Sequence, residues 1–175
     1  EEAWGSREAA GLAPQAAAPS SSAVDENGHW VASAPQPDRS LLTPELRAKI
    51  DAIAVATLTA QLQKRGVQNA TIDGPRPIHR GRRVLGYAKT LRYIPKREDL
   101  AKEFGGGFNA QKRAIDSVQP DDVVVMEARC EHGTGTLGDV LALRAQVNGA
   151  NAVITDGGIR DSAAVAEVGL QVYAG

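Results

Sequence analysis

Apolar positions along the chain recur with two different periods, and the change from one to the other outlines the elements. Leu46, Ile50, Ile53, Ala54, Thr57, Leu58 and Leu62 follow three- and four-residue spacing, the signature of a helix that turns one face to a core. Thr43 can cap it, Pro44 suits its first position, Glu45 favours its first turn, and Gly66 stands where a stop is expected. The spacing predicts one helix running from there to about Lys64. Further on, residues 84–94 alternate well enough for a long strand closed by Pro95, and residues 122–128 form a second after the turn signal Gln119-Pro-Asp-Asp. Gly105-Gly-Gly107 between them reads as a flexible loop.

The last part of the chain reads as a helix from Gly138 to about Val147, a buried strand from Ala152 to Thr155, a helix from Ser162 to Val168 and a strand from Leu170 to Tyr173. Such alternation predicts α/β layering. Gly74-Pro-Arg-Pro77 and the basic cluster His79-Arg-Gly-Arg-Arg83 read as a turn leading into a strand, with the charges solvated. Residues 1–40 are rich in Ala, Pro, Ser, Gln and Gly with no apolar period, and are expected to be a disordered leader carrying the isolated Trp4 and Trp30. The folded domain is then 41–175. Its final strand runs straight into Gly175; an uncovered terminal strand is a pairing liability, so either a partner or further chain is expected to cover that edge.

Composition narrows the function. With 42% apolar residues in 175, the chain can build one core. Its 20 basic and 21 acidic residues, a formal charge of -1, provide no field to gather nucleic acid or an anionic membrane. Direct nucleic-acid binding and membrane insertion are therefore not expected. A single Cys130 rules out a disulfide framework, and His29, His79 and His132 lack ligand spacing. Cys130 reads as a small half-buried residue after an apolar strand. The N-terminus lacks the basic, apolar, small-residue order of a signal peptide, so a cytoplasmic setting is expected.

Candidate chemistry collects between Gly138 and Asp161. Gly133-Thr-Gly-Thr-Leu-Gly138 delivers the backbone into a helix whose first amides suit a carboxylate or phosphate. It fits neither the Walker pattern nor GxGxxG with its acidic ribose ligand, which disfavours a nucleotide. Thr155-Asp-Gly-Gly-Ile-Arg-Asp161 ends a buried strand in two glycines and a guanidinium beside a carboxylate, at the kind of strand end where α/β proteins gather ligands. Gly157 and Gly158 allow another backbone or a ligand to approach, Arg160 can grip a carboxylate or enolate, and Asp161 can offer hard oxygen to a divalent ion. The plainer alternative makes Asp161 a helix cap and Arg160 a solvated cation.

Asp139, twenty intervening residues, then Arg160-Asp161, with Gly169 closing the next helix, together with Thr57-Leu-Thr59, the stretch from Leu91 to Leu100 and Gly157-Gly-Ile-Arg-Asp-Ser162, resemble the RraA-like family. That family is typified by the regulator of ribonuclease E activity A and by the 4-hydroxy-4-methyl-2-oxoglutarate aldolases. The resemblance covers about residues 42–175. It implies a three-layer β/β/α swivelling domain of the phosphohistidine-domain type and a homotrimer with sites at subunit boundaries. It also implies a Mg²⁺- or Mn²⁺-dependent class II-type aldolase or decarboxylase. Such a lyase cleaves a pyruvate-containing 2-oxo acid, by retro-aldol reaction or oxaloacetate decarboxylation, through a pyruvate enolate. Carried over, Gly138, Asp139, Val140 and Leu141 would present main-chain amides to the pyruvyl carboxylate, Arg160 would hold the enolate oxygen, and Asp161 would ligate the metal. The aldolase members carry an acidic residue three positions after that aspartate, where this sequence has Ala164. Family members also continue past Gly175, so a C-terminal part is expected to be missing here. The alternative the resemblance allows is a non-catalytic regulator that binds and inhibits a ribonuclease E-like enzyme. Methyl transfer, attached to some relatives by name, is disfavoured because no S-adenosylmethionine loop is present.

Overall fold

The computed structural model describes residues 37–80 and 83–175. The leader expected over 1–40, with Trp4 and Trp30, lies outside the described residues apart from 37–40. There Asp38 accepts a hydrogen bond from the Ser40 amide (3.0 Å) and caps a 3-10 turn, Arg39–Leu41. Among the described residues two compact units are present, one of residues 37–43 and 53–70, the other of 44–52, 71–80 and 83–175.

Where a single helix is expected there are two, α1 (Pro44–Asp51) and α2 (Val55–Lys64). Ala54 breaks the run with an extended backbone (φ -63°, ψ 142°), flanked by the β-branched Ile53 and Val55, both weak helix formers. The apolar spacing continues across the break, so the period alone does not register it. The stop at Gly66 is as expected. Its φ is +82°, and the amides of Gly66 and Val67 donate to the carbonyls of Gln63 (2.9 Å) and Leu62 (3.0 Å), the paired bonds of a Schellman ending.

The larger unit is built on one five-stranded sheet of order β1-β5-β4-β3-β2, where β1 is Arg76–Pro77, β2 Tyr87–Arg92, β3 Asp122–Glu127, β4 Ala152–Thr155 and β5 Gln171–Ala174. Strands β2 to β5 run parallel in consecutive order, and β1 is antiparallel to β5. The strand before Gly175 is therefore not an edge. Residues read as a turn cover it, pairing Arg76 with Ala174 and Pro77 with Tyr173; a proline is tolerated there because the strand is outermost. β2 is shorter than its alternating pattern suggests. It begins where the Tyr87 amide donates to the Asp121 carbonyl (2.9 Å), then keeps one-to-one register with β3.

Two helices, α3 (Glu98–Phe104) and α4 (Ala110–Asp116), occupy the stretch around Gly105–Gly107. Asn109 caps α4, its side-chain oxygen accepting from the Lys112 amide (3.1 Å). α5 (Asp139–Val147) links β3 to β4 and α6 (Ser162–Val168) links β4 to β5, and α5 packs between α4 and α6. Against this helix layer the sheet presents Val124, Met126, Val153 and Val172, which form the core with Ile115, Leu137, Val165 and Leu170. The other face carries the in-register row Val125, Ile154 and Tyr173, all half-buried. The described layers are thus one mixed sheet and one layer of helices, an α/β arrangement.

α5 turns Ala142 and Ala145, both fully buried, into the core. Ala142→Leu adds three carbons where no room exists and should cost roughly 1–3 kcal/mol. A urea midpoint unchanged from wild type would contradict that packing.

Candidate functional site

The C-terminal ends of β3 and β4 feed two loops that run side by side. Gly135 and Gly158 form an isolated parallel bridge, the Thr136 amide donates to the Gly158 carbonyl (2.9 Å), and the Arg160 amide donates to the Leu137 carbonyl (2.8 Å). The Thr136 hydroxyl also donates to Gly158 O (2.9 Å) and meets the Thr155 hydroxyl at 3.1 Å; Thr155 in turn accepts from the Gly157 amide (3.1 Å). With Thr136 donating to a carbonyl, Thr155 is the donor of the hydroxyl pair. Every proton in this buried junction is assigned.

The glycines make the approach possible. A side chain on Gly158 would strike the His132 carbonyl, and one on Gly157 would sit 2.7 Å from Ala128 Cβ and 2.8 Å from Thr136 Cγ2. Of the alternatives open for these two positions, close approach of other protein atoms is the one present. At Gly135 a Cβ would lie 2.6 Å from Arg160 Cδ, so the arginine stem crosses directly over this residue.

Gly138, Arg160 and Asp161 come together. A Cβ on Gly138 would stand 3.4 Å from Asp161 Oδ2 and 3.8 Å from Arg160 Nη2, and both side chains are exposed to solvent. Asp161 precedes α6 but makes no side-chain cap bond, and its backbone is left-handed (φ 53°, ψ 41°). Asp161 thus stands at the N-cap position, as the plainer alternative has it, but its side chain does not cap the helix. A non-glycine residue there is strained by about 1 kcal/mol or more, and the strained backbone directs the carboxylate towards Gly138 rather than into the helix.

Gly138 is the extended N-cap of α5, with no side chain to satisfy the first-turn amides. The Val140 amide is taken by the carboxylate of Asp139 (2.8 Å). Those of Gly138, Asp139 and Leu141 find no acceptor among the described residues. The carried-over residues Gly138, Asp139, Val140 and Leu141 thus line one helix start, with three amides open and one internally occupied. No group of three or more His, Cys, Asp or Glu able to hold a metal occurs among the described residues, so any ion here would depend on one or two carboxylates.

Sequence reasoning missed the turn beneath the site. Arg129 (φ 60°) and Cys130 (φ 58°) are both left-handed, and the Glu131 amide donates to the Ala128 carbonyl (3.1 Å). This is the geometry of a type I′ turn, normally made by Asn-Gly. Asp156 holds it. Its carboxylate accepts from the amides of Ala128 and Cys130 (3.0 Å for the latter) and from the Cys130 thiol (Sγ to Oδ2 3.7 Å). Burial alone would raise the Asp156 pKa, but these donors together keep it below the usual carboxylate range. Cys130 is exposed rather than half-buried, and desolvation together with the Asp156 charge raises its thiol pKa, which argues against a nucleophile. The available signal was Asp156 itself, the first residue after β4, read only as part of the glycine motif.

The model of the RraA-like family, described as Aldolase/RraA, matches residues 49–175. Among solved structures the chain is similar to RraAS2 of Streptomyces coelicolor, described as an unusual member of the RNase ES inhibitor RraA protein family. The identity is 32%, over 75% of this chain and 62% of that one, with a TM-score of 0.65. The RNA-processing inhibitor RraA from Thermus thermophilis matches at 21% identity, 66% and 65% coverage and a TM-score of 0.51. A Geobacillus kaustophilus structure described as an S-adenosylmethionine: 2-dimethylmenaquinone methyltransferase matches at 24%, 70% and 68%, with 0.54. The last two are likenesses of fold alone. This chain spans 62% of the length of RraAS2.

Two substitutions test the turn. Cys130→Gly places glycine at the second left-handed position and should raise stability by about 0.5–1 kcal/mol, whereas Asp156→Ala leaves two amides without an acceptor and should cost about 1–3 kcal/mol. Because the folded-state carboxyl is held low, the Asp156 contribution is in place above about pH 4 and is lost as the pH falls through its lower folded value. Chemical denaturation of wild type and Asp156→Ala should therefore differ at neutral pH and converge in acid; a constant gap would refute the assignment.

Proposed function

The chain belongs to the RraA-like family, and from that premise we propose that it is a divalent-metal-dependent lyase acting on a pyruvate-containing 2-oxo acid. One observation carries the reading: the Arg160 guanidinium and an Asp161 carboxylate freed from helix capping lie together against Gly138, at the open amides of α5.

The charges at this point favour a cation as well as an anion. Asp139 and Asp161 bring two carboxylates to a helix start beside one guanidinium, so an organic anion alone would meet net negative charge. Magnesium keeps several waters and is held by one or two carboxylates with substrate oxygens completing its shell. Asp161, exposed and free of a cap bond, fits that role without a larger ligand cluster; Mn²⁺ has the same preference for hard oxygen. When bound, such an ion supplies Lewis-acid polarisation of the 2-oxo group.

The protein's own groups do the rest. The amides of Gly138, Asp139 and Leu141, with that of Val140 if Asp139 releases it, receive the pyruvyl carboxylate and fix its orientation. In retro-aldol cleavage the C4 hydroxyl passes its proton to solvent water at this exposed site as the C3–C4 bond breaks, and the electron pair of that bond passes to the 2-oxo oxygen. In oxaloacetate decarboxylation the pair comes from departing carbon dioxide. Both leave pyruvate enolate, with charge growing on one oxygen, where the Arg160 fork donates. Ala164, in place of an acidic residue, sits in α6 three positions after Asp161, which favours decarboxylation over the aldol reaction among these two. The same reading includes a cytoplasmic homotrimer of three-layer β/β/α domains, in which a second β layer covers the half-buried row Val125, Ile154 and Tyr173.

A second reading is favoured by the description of RraAS2 as belonging to an RNase ES inhibitor family, at 32% identity. Here the chain binds and inhibits a ribonuclease E-like enzyme without catalysis. Inhibition that persists in Asp161→Ala, with no lyase activity in wild type, would select it.

Pyruvate release from oxaloacetate and from 4-hydroxy-4-methyl-2-oxoglutarate should require Mg²⁺ or Mn²⁺ and stop with chelator. Arg160→Ala should lower kcat by roughly 100-fold or more, as for loss of a donor to a developing oxyanion, and Asp161→Ala should abolish the metal response. Metal-independent turnover, or full activity in Arg160→Ala, would exclude the lyase reading.

A further inference from the structure

Resting on the anion-binding reading of α5, we propose that Gln111 and Tyr93 are positioning residues for its amides, acting through the carbonyl oxygen of Thr136. Gln111 Nε2 on α4 and Tyr93 Oη, just beyond β2, both donate to that oxygen, the tyrosine at 3.4 Å. Neither residue belongs to the loop it holds. Tyr93 is itself fixed, its amide donating to the Glu127 carbonyl (2.8 Å) and its hydroxyl lying 3.8 Å from Met126 Sδ.

The effect follows from peptide planarity. In a trans peptide the carbonyl and the next amide point in opposite directions, so tethering Thr136 O aims the Leu137 N–H the other way. The following peptide is set likewise, because Leu137 O accepts from the Arg160 amide (2.8 Å) and the Gly138 N–H must point opposite. Two successive peptide planes leading into α5 are thus fixed from their carbonyl sides. One tether comes from Arg160 in the loop after β4, and the other is supplied by Gln111 and Tyr93. Without the second, the Thr136–Leu137 peptide is held only through its neighbours, by the Thr136 amide on Gly158 O and the Leu137 carbonyl on the Arg160 amide, and nothing fixes which way its own carbonyl dipole points. The Tyr93 hydroxyl stays protonated, and so remains a donor, throughout the neutral range, since burial raises its pKa to about 12.

The test is calorimetric titration of the full chain with pyruvate and with oxalate in the presence of Mg²⁺, with thermal melts as a folding control. Gln111→Ala should weaken both ligands by about tenfold and Tyr93→Phe by a few-fold, the scale of one lost hydrogen bond to an orienting contact. Affinity for Mg²⁺ alone should not change. Gln111→Glu gives the reading a structural role would not produce. At about pH 7.5 its carboxylate cannot donate and should bind less than Gln111→Ala, while near pH 5 partial protonation restores a donor and should narrow or reverse that gap. Should Gln111→Ala fail to fold, Tyr93→Phe, which removes a single oxygen, decides the matter. Wild-type affinity in both Gln111→Ala and Tyr93→Phe, with binding lost in Asp161→Asn, would overturn this inference and leave the site intact. No binding of either ligand to wild type would overturn the site reading and this inference together.

Discussion

The buried hydroxyl junction of Thr136 and Thr155 is the constraint on which the rest of the site depends. Thr155 is the last residue of β4 and faces the helix layer, while Thr136 lies in the long loop after β3. Each is almost wholly buried, so each hydroxyl must be satisfied inside the protein. Satisfying them brings Thr136 onto the Gly158 carbonyl and holds the two loops at bridge distance. Only then do Gly138, at the end of one loop, and Arg160-Asp161, at the end of the other, share a surface.

Close approach of the two loops has a conformational cost, and its distribution is informative. Arg129, Cys130 and Asp161 all adopt left-handed backbone without being glycine. The first two are held by the Asp156 carboxylate, which gathers two amides and a thiol. Asp161 has no equivalent tether. Its strain is offset by the surrounding fold, since the Val165 amide bonds to its carbonyl at 2.9 Å and starts α6 from there. Strain placed at a residue whose side chain is thereby kept out of helix capping is the pattern expected where a carboxylate serves a purpose other than stability.

The parallel half of the fold was legible because its signals are local. α5, β4 and α6 each begin and end at a glycine, an asparagine or a change of period, and the motif around Arg160 lies at a strand end, so Gly138, Arg160 and Asp161 could be grouped before any coordinates. What could not be read was set by tertiary contact. The break at Ala54 leaves the apolar period intact, and α4 keeps only Ile115 fully buried, too little to mark a helix against three neighbouring glycines. β1 is two residues long and contains a proline, so only its partner β5 makes it a strand. The Arg129-Cys130 turn lacks the glycine and asparagine that announce such turns, because a carboxylate twenty-six residues further along does their work.

Asp139 applies the same chemistry within the chain itself. A helix start with a glycine cap leaves its first amides without side-chain acceptors, and in water these draw an anion of any origin. Here the first helical residue supplies one from within, through the 2.8 Å bond from the Val140 amide to its own carboxylate. That bond spans adjacent residues on an exposed turn, so it is weakly held and exchangeable with solvent. A planar carboxylate arriving with an associated cation would gain the three open amides at once and could compete for the fourth. The cost of moving Asp139 would be smallest if its freed carboxylate then faced the same cation. In the proposed lyase reading, the internal acceptor would therefore disfavour an anion that arrives alone more than one that arrives with a metal, a selectivity that would need only the residues already at the helix start.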